Sequence, residues 1–167
     1  LISGFVFVGL RSAGWRPATF AVDAALYVLR GVPLLVLLFL VYFGLPSFGL
    51  TLSPMAAMML SLGLISGAYL AEVFRSALAS VDSVEILAGR ASGLTRLQTL
   101  LSIEFPQMMR FAFPGMVNEF TSVLKYSPFA YTVGIPEITK QAMTLSATTL
   151  RGVEIYLAVG CLYFAIR

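Results

Sequence analysis

The chain has 167 residues, 59% of them hydrophobic and 11% charged, with no histidine and a formal net charge of +3. A soluble domain carries about 25% charged residues, so this composition excludes an ordinary water-soluble fold and is that of a polytopic membrane protein. The small charge, with no basic stretch interleaved with aromatics, excludes nucleic-acid binding, and the missing histidine excludes His-based metal sites, triads and pH switches.

Five apolar segments follow in chain order. Leu1–Leu10 begins inside an apolar run without an initiator Met. No basic n-region or cleavage-type segment accompanies it, so it reads as the remainder of a helix and not as a signal peptide. Val32–Leu45 is entered through Gly31, Val32 and Pro33. It is short against the roughly 20 residues a spanning helix needs, unless it extends to Leu50 or begins within Ala24–Leu29. Pro54–Leu78 is long enough. It contains Gly63 and Gly67, small residues four apart that let membrane helices approach closely. They mark either a packing seam with a neighbouring helix or second subunit, or one incidental small patch. Glu72 and Arg75, three apart, are expected to pair. Phe111–Val133 is interrupted by Lys125 and Pro128, and Ile155–Ile166 carries the lone cysteine, Cys161, expected as a small buried hydrophobe that cannot pair within the chain. The chain stops at Arg167, just after this run. The expectation is an all-α, polytopic transmembrane helix bundle of about five helices, one domain over 1–167, truncated at both ends.

The basic residues orient it. Arg11, Arg16 and Arg30 lie between the first two segments, and Arg75, Arg90, Arg96 and Arg110 between the third and fourth. None lies in Pro46–Ser53, and Lys140 and Arg151 follow the fourth segment. Excess Lys and Arg mark cytoplasmic loops, which puts 11–31 and 75–110 inside and 46–53 and 134–153 outside, the last fitting least well.

Residues 82–98 have their own punctuation. Asp82 with Glu85 is a capping-box pattern, Gly93 stands where that helix should stop, and Thr95 with Gln98 is a second capping box. This predicts a helix–glycine–helix elbow at the cytoplasmic face. Ala88, Gly89, Ala91 and Ser92 give its first arm a low surface suited to a partner's groove; the alternative is an amphipathic hairpin lying on the membrane lipid surface.

In the fourth segment, Glu119 and Lys125 lie at membrane depth, with Asn118 and Ser127 beside them. An ionisable group there costs about 2.5–3.5 kcal/mol on insertion scales, so it faces the bundle interior or a water-filled path. Pro128 can break the helix where it lines a cavity. Asn118, Glu119, Lys125 and Ser127 are therefore candidates for a translocation path; the alternative is a structural pair near one membrane face.

The elbow resembles the Glu-Ala-Ala loop of ATP-binding-cassette (ABC) importer permeases, and the wider match is to their polar amino acid subfamily. Ala88, Arg90, Gly93, Leu94, Pro106, Gln107, Arg110 and Pro114 follow the family pattern; Leu87 departs from its usual Glu, Gly89 from its second Ala and Ser92 from its Leu. The resemblance extends through Arg30–Leu35, Tyr42–Pro46, Ser66–Arg75, Asn118–Phe120, Leu124–Lys125 and Gly134–Glu137, nearly all of 30–140. After Lys125 the family usually has Asp-Thr-Ser, where this chain has Tyr126, Ser127 and Pro128. The resemblance implies a type I ABC importer permease in the cytoplasmic membrane. It implies an ATPase dimer docked on the elbow at Ala88, Gly89, Arg90, Gly93 and Leu94. A second permease subunit, an extracytoplasmic substrate-binding protein and a polar amino acid as cargo complete the expectation.

No P-loop is present, since neither Lys125 nor Lys140 follows a glycine, and no nucleophile–base pair is visible. The chain is expected to be no enzyme and to hold no cofactor or metal, with energy from a partner or an ion gradient. A self-contained secondary transporter with Glu119 as a cation site is the competing expectation.

Overall fold

The computed structural model describes residues 16–166, so the predicted segment Leu1–Leu10, together with Arg11 and Arg167, lies outside the described residues. No strand occurs among the described residues; the regular structure is helical throughout, as the composition requires.

The first helix, α1 (Arg16–Gly31), occupies what the charge distribution marks as an inner junction. Its period is nevertheless visible: Val22, Leu26 and Leu29 repeat at i, i+4 and i+7 and pack on Ala68 and Ala71. The chain breaks at Val32 and Pro33. Pro33 holds an extended ψ of 139°, and its carbonyl accepts from the Val36 and Leu37 amides of α2 (Leu34–Phe39) at 3.0 and 3.1 Å. That helix continues as a π-helical turn, Leu40–Gly44, and a 3-10 turn, Leu45–Phe48, ending at Gly49 with φ +80°. The longest helix, α3 (Pro54–Ala79), has 26 residues, about 39 Å at 1.5 Å per residue, and is long and apolar enough to cross a membrane.

Next come α4 (Ser83–Ala91), α5 (Arg96–Thr99), a π-helical turn Leu100–Glu104, and α6 (Phe105–Tyr126). The residues joining α5, the π turn and α6 keep right-handed helical angles, so the backbone is helical without a break from Arg96 to Tyr126. The break predicted near Pro128 is present as a 3-10 turn, Ser127–Val133, stopped by Gly134 at φ +89°. Residues 134–153, read from charge as an outer junction, contain α7 (Ile138–Thr149) before α8 (Gly152–Ile166). Glu137 caps α7 by accepting from the Thr139 amide at 2.8 Å, and the Tyr163 hydroxyl of α8 donates to the same carboxylate at 2.9 Å.

The described residues form two compact units. One combines the chain up to Gly31 with Leu64–Phe120; the other combines Val32–Gly63 with the chain from Thr121 onward. The second unit is built on Leu38 and Val41, Ala57 and Met58, and Ala130 and Val133. In the first, Leu70, Phe74 and Ala77 form a stripe on α3 that, with Val81 just beyond its end, packs against Met108 and Ala112 of α6. Glu72 of α3 accepts from Arg75 Nε at 3.1 Å, as its spacing predicts. It also draws in Arg30 Nη1 at 3.5 Å, while the Tyr69 hydroxyl donates to the Arg30 carbonyl at 3.1 Å. The end of α1 is thereby held on α3.

A tight approach between α3 and α6 in this unit is at Gly115 of α6. A Cβ there would lie 2.7 Å from Val73 Cγ1 and 3.0 Å from Cγ2 on α3. Val73 is β-branched and stiff at χ1, so it cannot swing aside. Gly115→Ala should therefore lower the thermal unfolding midpoint in detergent, by an overpacking cost of about 1–3 kcal/mol. Adding Val73→Ala should recover most of that loss. Equal midpoints for Gly115→Ala and the parent would show that the two helices do not meet there.

Candidate functional site

The elbow is assembled from local rules. Asp82 Oδ1 accepts from the Val84 amide at 2.8 Å and starts α4. Glu85, expected to fold back on Asp82 and complete a capping box, does not do so. Its carboxylate accepts instead from Gln107 Nε2 of α6. Asp82 thus caps alone, because the long Glu85 side chain finds a donor across the elbow.

The predicted stop at Gly93 is a complete Schellman turn. The Leu94 amide reaches the Gly89 carbonyl at 3.1 Å, and the Gly93 amide reaches that of Arg90 at 3.0 Å. Gly93 holds φ +88°, a conformation that costs an L-residue roughly 1–2 kcal/mol. The second capping box forms as predicted. Gln98 Oε1 accepts from the Thr95 amide at 2.9 Å, and Thr95 Oγ1 accepts from the Gln98 amide at 3.3 Å. This second arm runs directly into α6.

Ala88, Arg90 and Gly93 are exposed, and Leu94 is half-buried. Gly89, grouped with them in the sequence, is buried: a Cβ there would meet Ile103 Cδ1 at 2.5 Å and Leu94 Cδ1 at 3.4 Å. Gly89 therefore serves the inner contact of the elbow, with Ile86 on the same side packed into the core. The outward face carries residues that sequence reasoning passed over. Val84 is 67% exposed and Leu87 63% exposed, and with Ala88 and Ala91 they complete an i, i+3, i+4, i+7 stripe. That period was available in the sequence; which of two apolar faces points outward was not.

On α6, Met108, Ala112, Gly115 and Glu119 follow one another at spacings of four, three and four, so Glu119 extends the face that packs on α3. It is 7% exposed. The Ser66 hydroxyl of α3 is its polar neighbour, yet neither Ser66 Oγ nor Glu119 Oε1 closes a hydrogen bond of ordinary geometry among the described residues. Leaving such a group unmet costs about 1–3 kcal/mol. Asn118, next to it, is exposed.

Lys125 lies six positions beyond Glu119, about 120° away around the helix axis. It belongs to the second unit, where it is exposed. There Lys125 and Ser127 line a mostly apolar cavity of about 770 Å³ with Met58, Leu62, Ile138 and Phe164. The Ser127 hydroxyl donates to the Leu124 carbonyl at 2.9 Å. Among the described residues, no three His, Cys, Asp or Glu side chains converge to hold a metal.

Comparison with known proteins places this geometry. The family described as binding-protein-dependent transport system inner membrane component matches residues 6–166. The chain is 40% identical over 140 residues to the protein named probable amino-acid permease YxeN of Bacillus subtilis, covering 82% of this chain and 62% of that one. It is 36% identical to the probable glutamine ABC transporter permease GlnP of the same organism, covering 83% and 65%. It is 34% identical to the histidine/lysine/arginine/ornithine transport permease HisQ of Salmonella typhimurium, covering 93% and 75%. The fold matches a crystal structure of an amino acid ABC transporter with histidines at a TM-score of 0.90 and 30% identity, over 99% of this chain and 77% of that one. The chain spans less than two thirds of the length of the first two relatives. It belongs to the family of binding-protein-dependent transport system inner membrane components.

Proposed function

We propose that the chain is the multi-pass membrane-spanning subunit of an ATP-driven importer and moves a polar amino acid across the cytoplasmic membrane. The observation that carries this reading is the continuity of the elbow with α6. An exposed stripe on α4 turns through Gly93 into an unbroken helix that bears Glu119 and Lys125. A separate ATPase dimer seats on Ala88, Arg90 and Gly93 and their apolar neighbours Val84 and Leu87. The elbow, within 75–110, then faces the cytoplasm, in keeping with its arginines.

Work done on the elbow reaches the transport path through the helix. Glu119 suits a substrate ammonium and Lys125 a carboxylate, with Asn118 and Ser127 adding polar contacts. Relatives named for glutamine and for histidine, lysine, arginine and ornithine support a polar amino acid as cargo. A second permease subunit and an extracytoplasmic binding protein complete the assembly.

Docking is tested by co-purification. Arg90→Glu should cut recovery of the ATPase subunit by about ten-fold or more, the equivalent of roughly 1.4 kcal/mol. Gly93→Val should do the same by straining the turn, whereas Gly93→Asn should retain most binding, because Asn tolerates the left-handed region. Wild-type recovery with Arg90→Glu would place the docking surface elsewhere.

The path is tested by uptake into vesicles holding the full transporter. Glu119→Gln should lower uptake of a cationic amino acid about ten-fold or more while ATPase recovery stays at the parent level. Uptake driven by a proton gradient with no ATPase present would sink the importer reading and favour a secondary transporter that uses Glu119.

A further inference from the structure

The Glu85–Gln107 pair serves neither the outward face of the elbow nor the transport path. Glu85 is the third residue of α4, the position from which a glutamate ordinarily returns to its own N-cap. Here it reaches Gln107, 22 residues on, in the first turn of α6.

Its neighbours show what the pair does. Glu85 and Gly89 are four apart on α4, and Ile103 and Gln107 are four apart on the helix that leads through α6. Glu85 meets Gln107, and Gly89 meets Ile103, so the two rows pair in antiparallel register. Ile86 adds a third contact, against the core that holds Met108 and Ala112. The Gly89 and Ile86 contacts are apolar, and apolar contact is non-directional, so by itself it lets one helix roll or slide on another. A hydrogen bond to a carboxylate is short-range and directional. It is the directional contact among the three.

We infer that Glu85 and Gln107 are positioning residues for coupling. They lock α4 to the start of α6, so that displacement of the outer face of α4 moves α6 and does not roll α4 across it. This rests on the proposal that an ATPase docks on the elbow. It goes beyond that proposal in assigning the transmission step to one polar pair outside the docking surface.

The experiment uses the full-length permease reconstituted with its ATPase and binding protein. It measures substrate imported per ATP hydrolysed. Gln107→Glu sets two carboxylates against each other; Gln107→Met removes the donor at similar volume and serves if the first variant does not fold. Either should recover the ATPase at the parent level and keep hydrolysing ATP, with the import ratio down about five-fold or more. Combining Glu85→Gln with Gln107→Glu restores an amide–carboxylate pair with donor and acceptor exchanged. That combination should bring the ratio back to within about two-fold of the parent. A purely structural role would change yield or melting and leave the ratio alone.

An unchanged ratio in the single variants, or a double variant as uncoupled as the single, overturns the inference while the docking proposal stands. Failure of the parent permease to recover any ATPase overturns the docking proposal, and the coupling role falls with it.

Discussion

The left-handed turn at Gly93 is the constraint from which the candidate site follows. With φ at +88° the chain reverses in two residues, and two amides of the turn satisfy the Arg90 and Gly89 carbonyls that the end of α4 would leave bare. Reversal that tight brings α4 back along the helix that follows it. Only then can Glu85 find Gln107 and the missing side chain at Gly89 admit Ile103. A wider loop would leave α4 tethered at its ends and free to swing. The turn, the capping box at Thr95 and the helical backbone through Leu100–Glu104 join the elbow to α6 without a loop between them.

Helix α6 meets α3 along a face which changes character as it goes. Met108 and Ala112 are apolar, Gly115 offers no side chain and draws the helices together at Val73, and Glu119 places a carboxyl one turn further along. Close packing excludes small voids, so a polar group on such a face is felt by its neighbours. Glu119 and Ser66 are the intruders, one from each helix, and both carry a buried oxygen without a partner among the described residues. A face optimised for stability alone would continue with apolar residues. Under the proposed transport path, this departure supplies the hydrogen-bonding groups that such a path needs.

Legibility in the sequence tracked the range of the interaction. Asp82, Gly93, Thr95 and Gln98 act within four residues of themselves, and the elbow they predict is the one observed. Pro128 likewise announces the end of α6. The partner of Glu85 lies 22 residues away, and a local capping rule points to the wrong donor, the Asp82 amide. Helix α1 was hidden because its arginines drew it into a charged junction, although Val22, Leu26 and Leu29 carry its period. Helix α7 was hidden for the opposite reason, since its threonines and Ser146 break any apolar run. The hydroxyls of Thr144, Thr148 and Thr149 return to the helix's own carbonyls, as Thr144 does to Lys140 at 3.1 Å. The inward turn of Gly89 depends on Ile103, and nothing in the residues flanking Gly89 discloses it.

The departure at Leu87 becomes intelligible in the same terms. Residues 85 and 87 are about 200° apart on a helix, so they point to nearly opposite sides. The carboxylate of α4 stands at position 85, exposed and turned toward Gln107, while Leu87 faces outward between Val84 and Ala91. A glutamate at 87 would offer a partner a charge; leucine extends an apolar stripe flanked by the exposed Arg90. If the proposed ATPase docks here, such a surface would bind by removing apolar area from water, at about 25 cal/mol per Å², with no buried ion pair whose desolvation would offset its attraction. The acidic group of α4 is thereby engaged with Gln107 at the solvent-exposed edge between the two arms, and the outer face carries apolar residues.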